Sequence, residues 1–75
     1  MNAFIAPFVS EEVRNDDVPC GFKIKDQYGK VALSHKGVNK ELANFVVYLL
    51  NGMAKIATWT DLQETIKLCR TTLEG

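Results

Sequence analysis

The chain has few of the residues and charge patterns that usually accompany catalysis, metal binding or nucleic-acid binding. It contains one histidine and two cysteines, and nine acidic side chains balance its nine basic ones. Proteins that depend on phosphate contacts are usually basic overall, so this neutrality counts against a generic affinity for nucleic acids. The spacings typical of zinc sites and phosphate-binding loops do not occur. We therefore expect no enzymatic activity, no metal and no cofactor.

Long apolar runs are also missing. No run approaches the roughly 20 residues that a helix needs to cross a bilayer. The N-terminal stretch MNAFIAPFVSEEV lacks the positive segment of a secretory signal. We expect a cytoplasmic chain whose Cys20 and Cys69 are reduced thiols, with a disulfide between them as the alternative in an oxidising compartment.

What the chain does have is enough hydrophobic residues for one small folded unit. Of its 75 residues, 47% are hydrophobic and 24% are charged, an ordinary globular composition. Because so short a chain buries only about 60% of the surface that its unfolded form exposes, its stability is marginal. Residues 1–75 are expected to form a single small domain, to whose stability a partner chain could add.

The first half of the sequence predicts strands and loops. Residues 2–9 are apolar but contain Pro7, which predicts an edge strand or an extended arm. Turn formers and acidic residues between 10 and 21 predict a loop. Alternation of apolar and polar residues predicts a β-hairpin over residues 22–34, with Gly29 available for a positive φ angle in its connection.

The second half predicts two helices. Asn39 is a suitable N-cap for a helix from residue 40 to about 57. Thr60 and Gln63 have capping-box spacing, which predicts a second helix from residue 61 to about 73. The expected fold is therefore a small α+β domain, in which a β-hairpin, with an extra N-terminal strand or arm, packs on two C-terminal helices.

The first helix carries two adjoining apolar stripes, more than a helix packed on one small hairpin needs. The first stripe comprises Leu42, Phe45, Val46, Leu49, Met53 and Ile56, and the second comprises Ala43, Val47, Leu50, Ala54 and Ala57. We expect the first stripe to meet the hairpin and the second helix. The second stripe is expected to meet another chain, most simply in a twofold dimer, unless the N-terminal arm covers it.

The leading functional hypothesis is a non-enzymatic protein-binding module. The expected partner is a second copy or another protein, as for a small accessory or inhibitory protein of a phage or mobile element. The predicted interface residues are Ala43, Val47, Leu50, Ala54 and Trp59.

The alternative hypothesis is a nucleic-acid-binding regulator. Its contacts would come from the basic hairpin, through Lys23, Lys25, Tyr28 and Lys30. The same lysines could instead protect a sheet edge from aggregation. Ser34, His35 and Cys20 are the residues closest to a nucleophile and base, but their order in the sequence does not predict a catalytic geometry.

Overall fold

In the computed structural model, which describes residues 3–74, three antiparallel strands precede two helices. The strands are β1 (Val9–Asn15), β2 (Val18–Lys25) and β3 (Val31–His35), and they lie in the order β1-β2-β3 across one sheet. The helices are α1 (Lys40–Ile56) and α2 (Trp59–Glu74). The predicted α+β fold is confirmed, with β2 and β3 forming the predicted hairpin and Gly29 at a φ of 79° in its turn.

The prediction of a loop over residues 10–21 is wrong, because β1 and the start of β2 form a second hairpin there. Asp16 and Asp17 lie in its turn with φ angles of 54° and 64°. Positive φ at two consecutive turn residues suits the twist of a tight hairpin, and aspartate tolerates it. β1 is an edge strand with polar residues on both faces, so it lacks the apolar alternation that predicts a strand.

The opposite edge of the sheet, β3, is closed by side chains of α2. The guanidinium of Arg70 donates to the Ala32 carbonyl oxygen through Nε at 3.1 Å and through Nη2 at 2.6 Å. The amide of Ser34 donates to Glu74 Oε2 at 2.8 Å. These contacts satisfy backbone groups that an edge strand otherwise leaves open to pairing with another chain.

The N-terminal arm, residues 3–8, forms neither helix nor strand, bends at Ala6 and lies against both helices. Gln63 accepts from the Phe4 amide and donates to its carbonyl, each at 2.9 Å. Asn51 does the same for Phe8, at 2.7 and 3.1 Å. Both phenylalanine rings are buried. The sequence left open an edge strand or an arm for residues 2–9, and the structure shows an arm. Residue 2 lies outside the described residues.

Asp26 joins the arm to the turn between β2 and β3. Its Oδ2 accepts from the Ile5 amide at 3.1 Å, and its Oδ1 accepts from the amides of Tyr28 at 3.0 Å and Lys30 at 2.9 Å. Burial of the carboxylate raises its pKa, but these hydrogen bonds and the Lys30 charge outweigh burial, and the pKa lies below its ordinary value. Asp26 is therefore ionised at neutral pH and holds three backbone amides.

The helix starts follow local capping contacts. Asn39 caps α1 as predicted, and its Oδ1 accepts from the Leu42 amide at 3.0 Å. α2 begins at Trp59, two residues before the predicted start, and Thr58 Oγ1 accepts from the Asp61 amide at 3.1 Å. Gln63 takes no part in a capping box because its amide is bonded to the arm.

The core lies between the sheet, the arm and the two helices. It is built from buried residues of the arm, β2, β3 and both helices, namely Phe4, Phe8, Phe22, Ile24, Ala32, Leu33, Ala43, Val46, Leu50, Leu62 and Ile66. Three of them, Ala43, Val46 and Leu50, come from α1. α1 therefore turns its second apolar stripe towards the core together with Val46 of the first stripe, while Phe45 and Ile56 of the first stripe stay exposed.

Candidate protein-binding face

The side of α1 that points away from the core carries large apolar side chains. Phe45 is 60% exposed, Tyr48 80% and Ile56 88%, while Leu49 beside them is half-buried. Leu68 of α2, which is 67% exposed, lies across a groove from Phe45 and Leu49. We call these five residues the helical face. Isolated exposed apolar residues are ordinary, but a group at helical spacing on one side of the molecule is typical of an interaction surface.

A shallow apolar groove of about 230 Å³ runs between the outer sides of α1 and α2. Phe45 and Leu49 line one wall, and Leu68 lines the other. Cys69, which lies deeper in the groove, is partly buried, and this burial raises the pKa of its thiol. The groove extends the helical face and offers a concave surface to an apolar side chain.

The structure divides the predicted interface residues between the core and the surface. Ala43 and Leu50 are buried in the core, and Val47 and Ala54 pack against it. The second stripe was expected to meet another chain. In the structure the sheet and the arm together cover it. This covering is the alternative that the sequence left open.

Trp59, the fifth predicted interface residue, is about half exposed at the start of α2. It lines a cavity of about 290 Å³ together with Ile5 of the arm and Leu62. Trp59 therefore lies beside the arm, whereas the groove of the helical face is lined by other residues of α1 and α2.

The helical face was not predicted as the interface. The apolar spacing places Phe45, Leu49 and Ile56 in the stripe that is expected to meet the hairpin and the second helix. The sequence does contain one signal for this side, namely Tyr48, an aromatic residue able to anchor an interface, which lies on the same side of the helix as Phe45 and Ile56. A tyrosine flanking an apolar stripe is compatible with an exposed side, because its hydroxyl group needs a polar partner when it is buried.

The lysines of the basic hairpin make contacts within the chain. Lys25 Nζ lies 2.5 Å from Glu11 Oε2, and Lys23 Nζ lies 3.6 Å from Glu11 Oε1. The hydrogen bond from Lys25 and the charges of both lysines hold the pKa of Glu11 below its ordinary value. One carboxylate on β1 thus offsets positive charge that the sequence places on β2.

The other two predicted nucleic-acid contacts lie near the β2–β3 turn. Lys30 Nζ lies 4.9 Å from the centre of the Phe4 ring, a cation–π contact that ties this lysine to the arm. Tyr28 is exposed at the tip of the turn. Of the four residues, only Tyr28 has a side chain without an interaction of this kind among residues 3–74.

Ser34, His35 and Cys20 line one open cavity of about 480 Å³ at the end of the sheet. His35 is half-buried against the Phe22 ring, and its Nδ1 lies 2.7 Å from the Leu73 carbonyl oxygen, which requires a proton on Nδ1. Cys20 Sγ donates to the Val13 carbonyl at 3.4 Å. The imidazole of His35 and the thiol of Cys20 thus each bond a backbone carbonyl and do not bond each other. Nucleophilic catalysis needs a hydrogen bond between the base and the nucleophile.

Both cysteines are free thiols. Within the described part of the chain, no group of three or more histidine, cysteine or acidic side chains is arranged to hold a metal ion. Neither α1 nor α2 combines the length and the hydrophobicity required of a bilayer-spanning segment. Comparisons with protein-family models, curated proteins and solved structures returned no match to the chain.

Proposed function

We propose that the chain is a non-enzymatic protein-binding module that contacts its partner through the helical face. The observation that carries the proposal is the group formed by Phe45, Tyr48 and Ile56, which lie on one side of α1 and are all more than half exposed. Exposing such side chains to water gives up about 1.5–3 kcal/mol of burial energy for each. Aromatic residues are also enriched in the buried centres of protein interfaces.

The contacts of the lysines favour this proposal over nucleic-acid binding. Glu11 offsets Lys23 and Lys25, and Lys30 lies over Phe4. Binding to phosphates through these lysines would compete with contacts already made inside the chain. In contrast, a protein partner on the helical face disturbs no internal contact of the core.

The proposal is tested by affinity capture with three purified baits. They are the wild type, the Phe45→Ser/Ile56→Ser double variant, and a control with Val18→Ser, which removes an exposed apolar residue of β2. Each captured protein is identified, purified and titrated against all three baits. We expect the wild type and control to bind it equally and the double variant to bind at least about tenfold more weakly. Equal binding by all three baits would overturn the proposal.

A further inference from the structure

Gly52 lies in the middle of the helical face without an internal reason for being glycine. It is exposed in α1, four residues after Tyr48 and four before Ile56. A Cβ atom added there would meet no other atom within 4 Å. Since glycine is less favourable than alanine within a helix, the chain gives up stability at this position and gains no packing from it. Close approach of another molecule would supply the missing reason.

The same side of α1 carries two opposite charges, those of Glu41 and Lys55. Both side chains are exposed, and neither takes part in an ion pair among the described residues. Their places in the first and last turns of α1 also suit the helix dipole. They lie fourteen residues apart, so one helix cannot bring them together, but two antiparallel copies of it can.

The steric and electrostatic features share one centre along the helix. Tyr48 lies midway between Glu41 and Lys55, and the midpoint between Phe45 and Gly52 falls beside it. Positions 41, 45, 48, 52 and 55 also alternate in steps of four and three, which is the seam spacing of paired helices. A single twofold axis at Tyr48 therefore brings Phe45 opposite Gly52 and Glu41 opposite Lys55. Each of these contacts occurs twice, once on either side of the axis.

We infer that a second copy of the chain packs antiparallel across the helical face, with the twofold axis near Tyr48. Phe45 of each copy then lies over Gly52 of the other, where a larger residue would hold the helices apart. Glu41 of each copy faces Lys55 of the other. The inference rests on the proposed function and names the partner that the helical face takes.

Charge reversal tests the antiparallel register. Sedimentation equilibrium over a range of concentrations measures dimer dissociation for the wild type, Glu41→Lys, Lys55→Glu and the double variant. Each single reversal places like charges across both symmetry-related contacts and is expected to weaken the dimer about tenfold. The double variant restores opposite charges and is expected to return to within about threefold of the wild type. Additive weakening in the double variant would overturn the register. Additivity is expected if each charge acts only on the dipole of its own helix and the two charges do not face each other.

Gly52→Ala tests the close approach of the helices. This variant is expected to raise the thermal stability of the monomer, since alanine favours the helix and its Cβ meets nothing. The same variant is expected to weaken the dimer about tenfold or more. Asn44→Ala, another exposed position of α1, is the control and is expected to leave dissociation unchanged. Tighter or unchanged dimerisation of Gly52→Ala would overturn the inference.

The two proposals fail in different ways. A wild type that sediments as a monomer at every concentration up to about 1 mM has no useful self-affinity and removes the second copy as the partner. The capture experiment would still decide whether the helical face binds a different protein. In another outcome, capture does not depend on the helical face, while dimerisation is intact and follows the antiparallel register. The function of the face would then be self-association alone.

Discussion

The two sides of α1 are similar in hydrophobicity and opposite in environment. On one side Ala43, Val46 and Leu50 are buried beneath the sheet and the arm. On the other side Phe45 and Ile56 are exposed, although they are as apolar as the buried residues. Composition alone therefore does not determine which side of this helix is covered, and the difference must come from the residues that hold the covering segments in place.

Polar side chains hold the cover over the core-facing side. Asn51 and Gln63 each bond the amide and the carbonyl of one arm residue, and Asp26 accepts from a third residue of the arm. These bonds satisfy backbone groups of a segment that otherwise forms no secondary structure. The exposed side has no comparable covering element within residues 3–74, so its apolar residues are available to another molecule.

The largest expected difference between the core-facing side of α1 and the helical face is in how much a substitution lowers the stability of the fold. Leu50→Ala removes a fully buried side chain and leaves a cavity, so it should lower the free energy of unfolding by about 2–5 kcal/mol. Leu68→Ala makes the same chemical change on the helical face and should change it by less than about 0.5 kcal/mol. Urea denaturation of both variants at low protein concentration makes the comparison. Equal losses would mean that the helical face is part of a folded core.

The sequence predicts most of the fold because its signals are local. Apolar alternation identifies the second half of β2, and Asn39 marks the start of α1. β1 is missed because an edge strand with two polar faces has no alternation to detect. The cover of α1 depends on contacts between residues far apart in sequence, such as the bond between Phe4 and Gln63, which are 59 positions apart. No periodicity within one helix reports such contacts, so the periodicity of α1 could not identify its covered side, and Tyr48 is a local signal for the exposed side.

The stability of the arm that covers the core-facing side of α1 depends on pH through Asp26, which bonds the Ile5 amide. Its pKa in the folded chain lies below the value of about 3.9 that is usual in unfolded chains. Its contribution to stability is therefore complete above that unfolded value and is lost as pH falls through the lower, folded pKa. Asp26→Asn turns an NH₂ group towards one of the three amides and should cost about 2 kcal/mol at neutral pH.

The measurement for Asp26 is the free energy of unfolding between neutral and strongly acidic pH. The wild type should lose stability in acid more steeply than Asp26→Asn, so that the two curves approach each other below the folded pKa. Asp61→Asn, at an exposed position in the first turn of α2, is the control for general charge effects. Parallel curves for the wild type and Asp26→Asn would show that Asp26 does not anchor the arm through its charge.

Asn51 should contribute less than Asp26 because its two bonds to Phe8 are neutral and only partly buried. Asn51→Ala is expected to lower the free energy of unfolding by about 1–2 kcal/mol and to speed hydrogen exchange of the Phe8 amide. Asn44→Ala is the matched change on the exposed side and should alter neither quantity. A Phe8 amide that stays equally protected in Asn51→Ala would mean that ring burial alone holds the arm.

Ile56→Ser should have the smallest effect on the folded monomer and a large effect on association. Ile56 is 88% exposed, so its replacement removes almost no burial from the chain itself and should change monomer stability by less than about 0.5 kcal/mol. Within an interface the same change exchanges a buried apolar group for a hydroxyl and should weaken binding about tenfold or more. Denaturation of the monomer and sedimentation of the dimer measure the two effects on one sample. If both stay unchanged, Ile56 lies outside the binding surface and the helical face contracts to Phe45, Tyr48, Leu49 and Leu68.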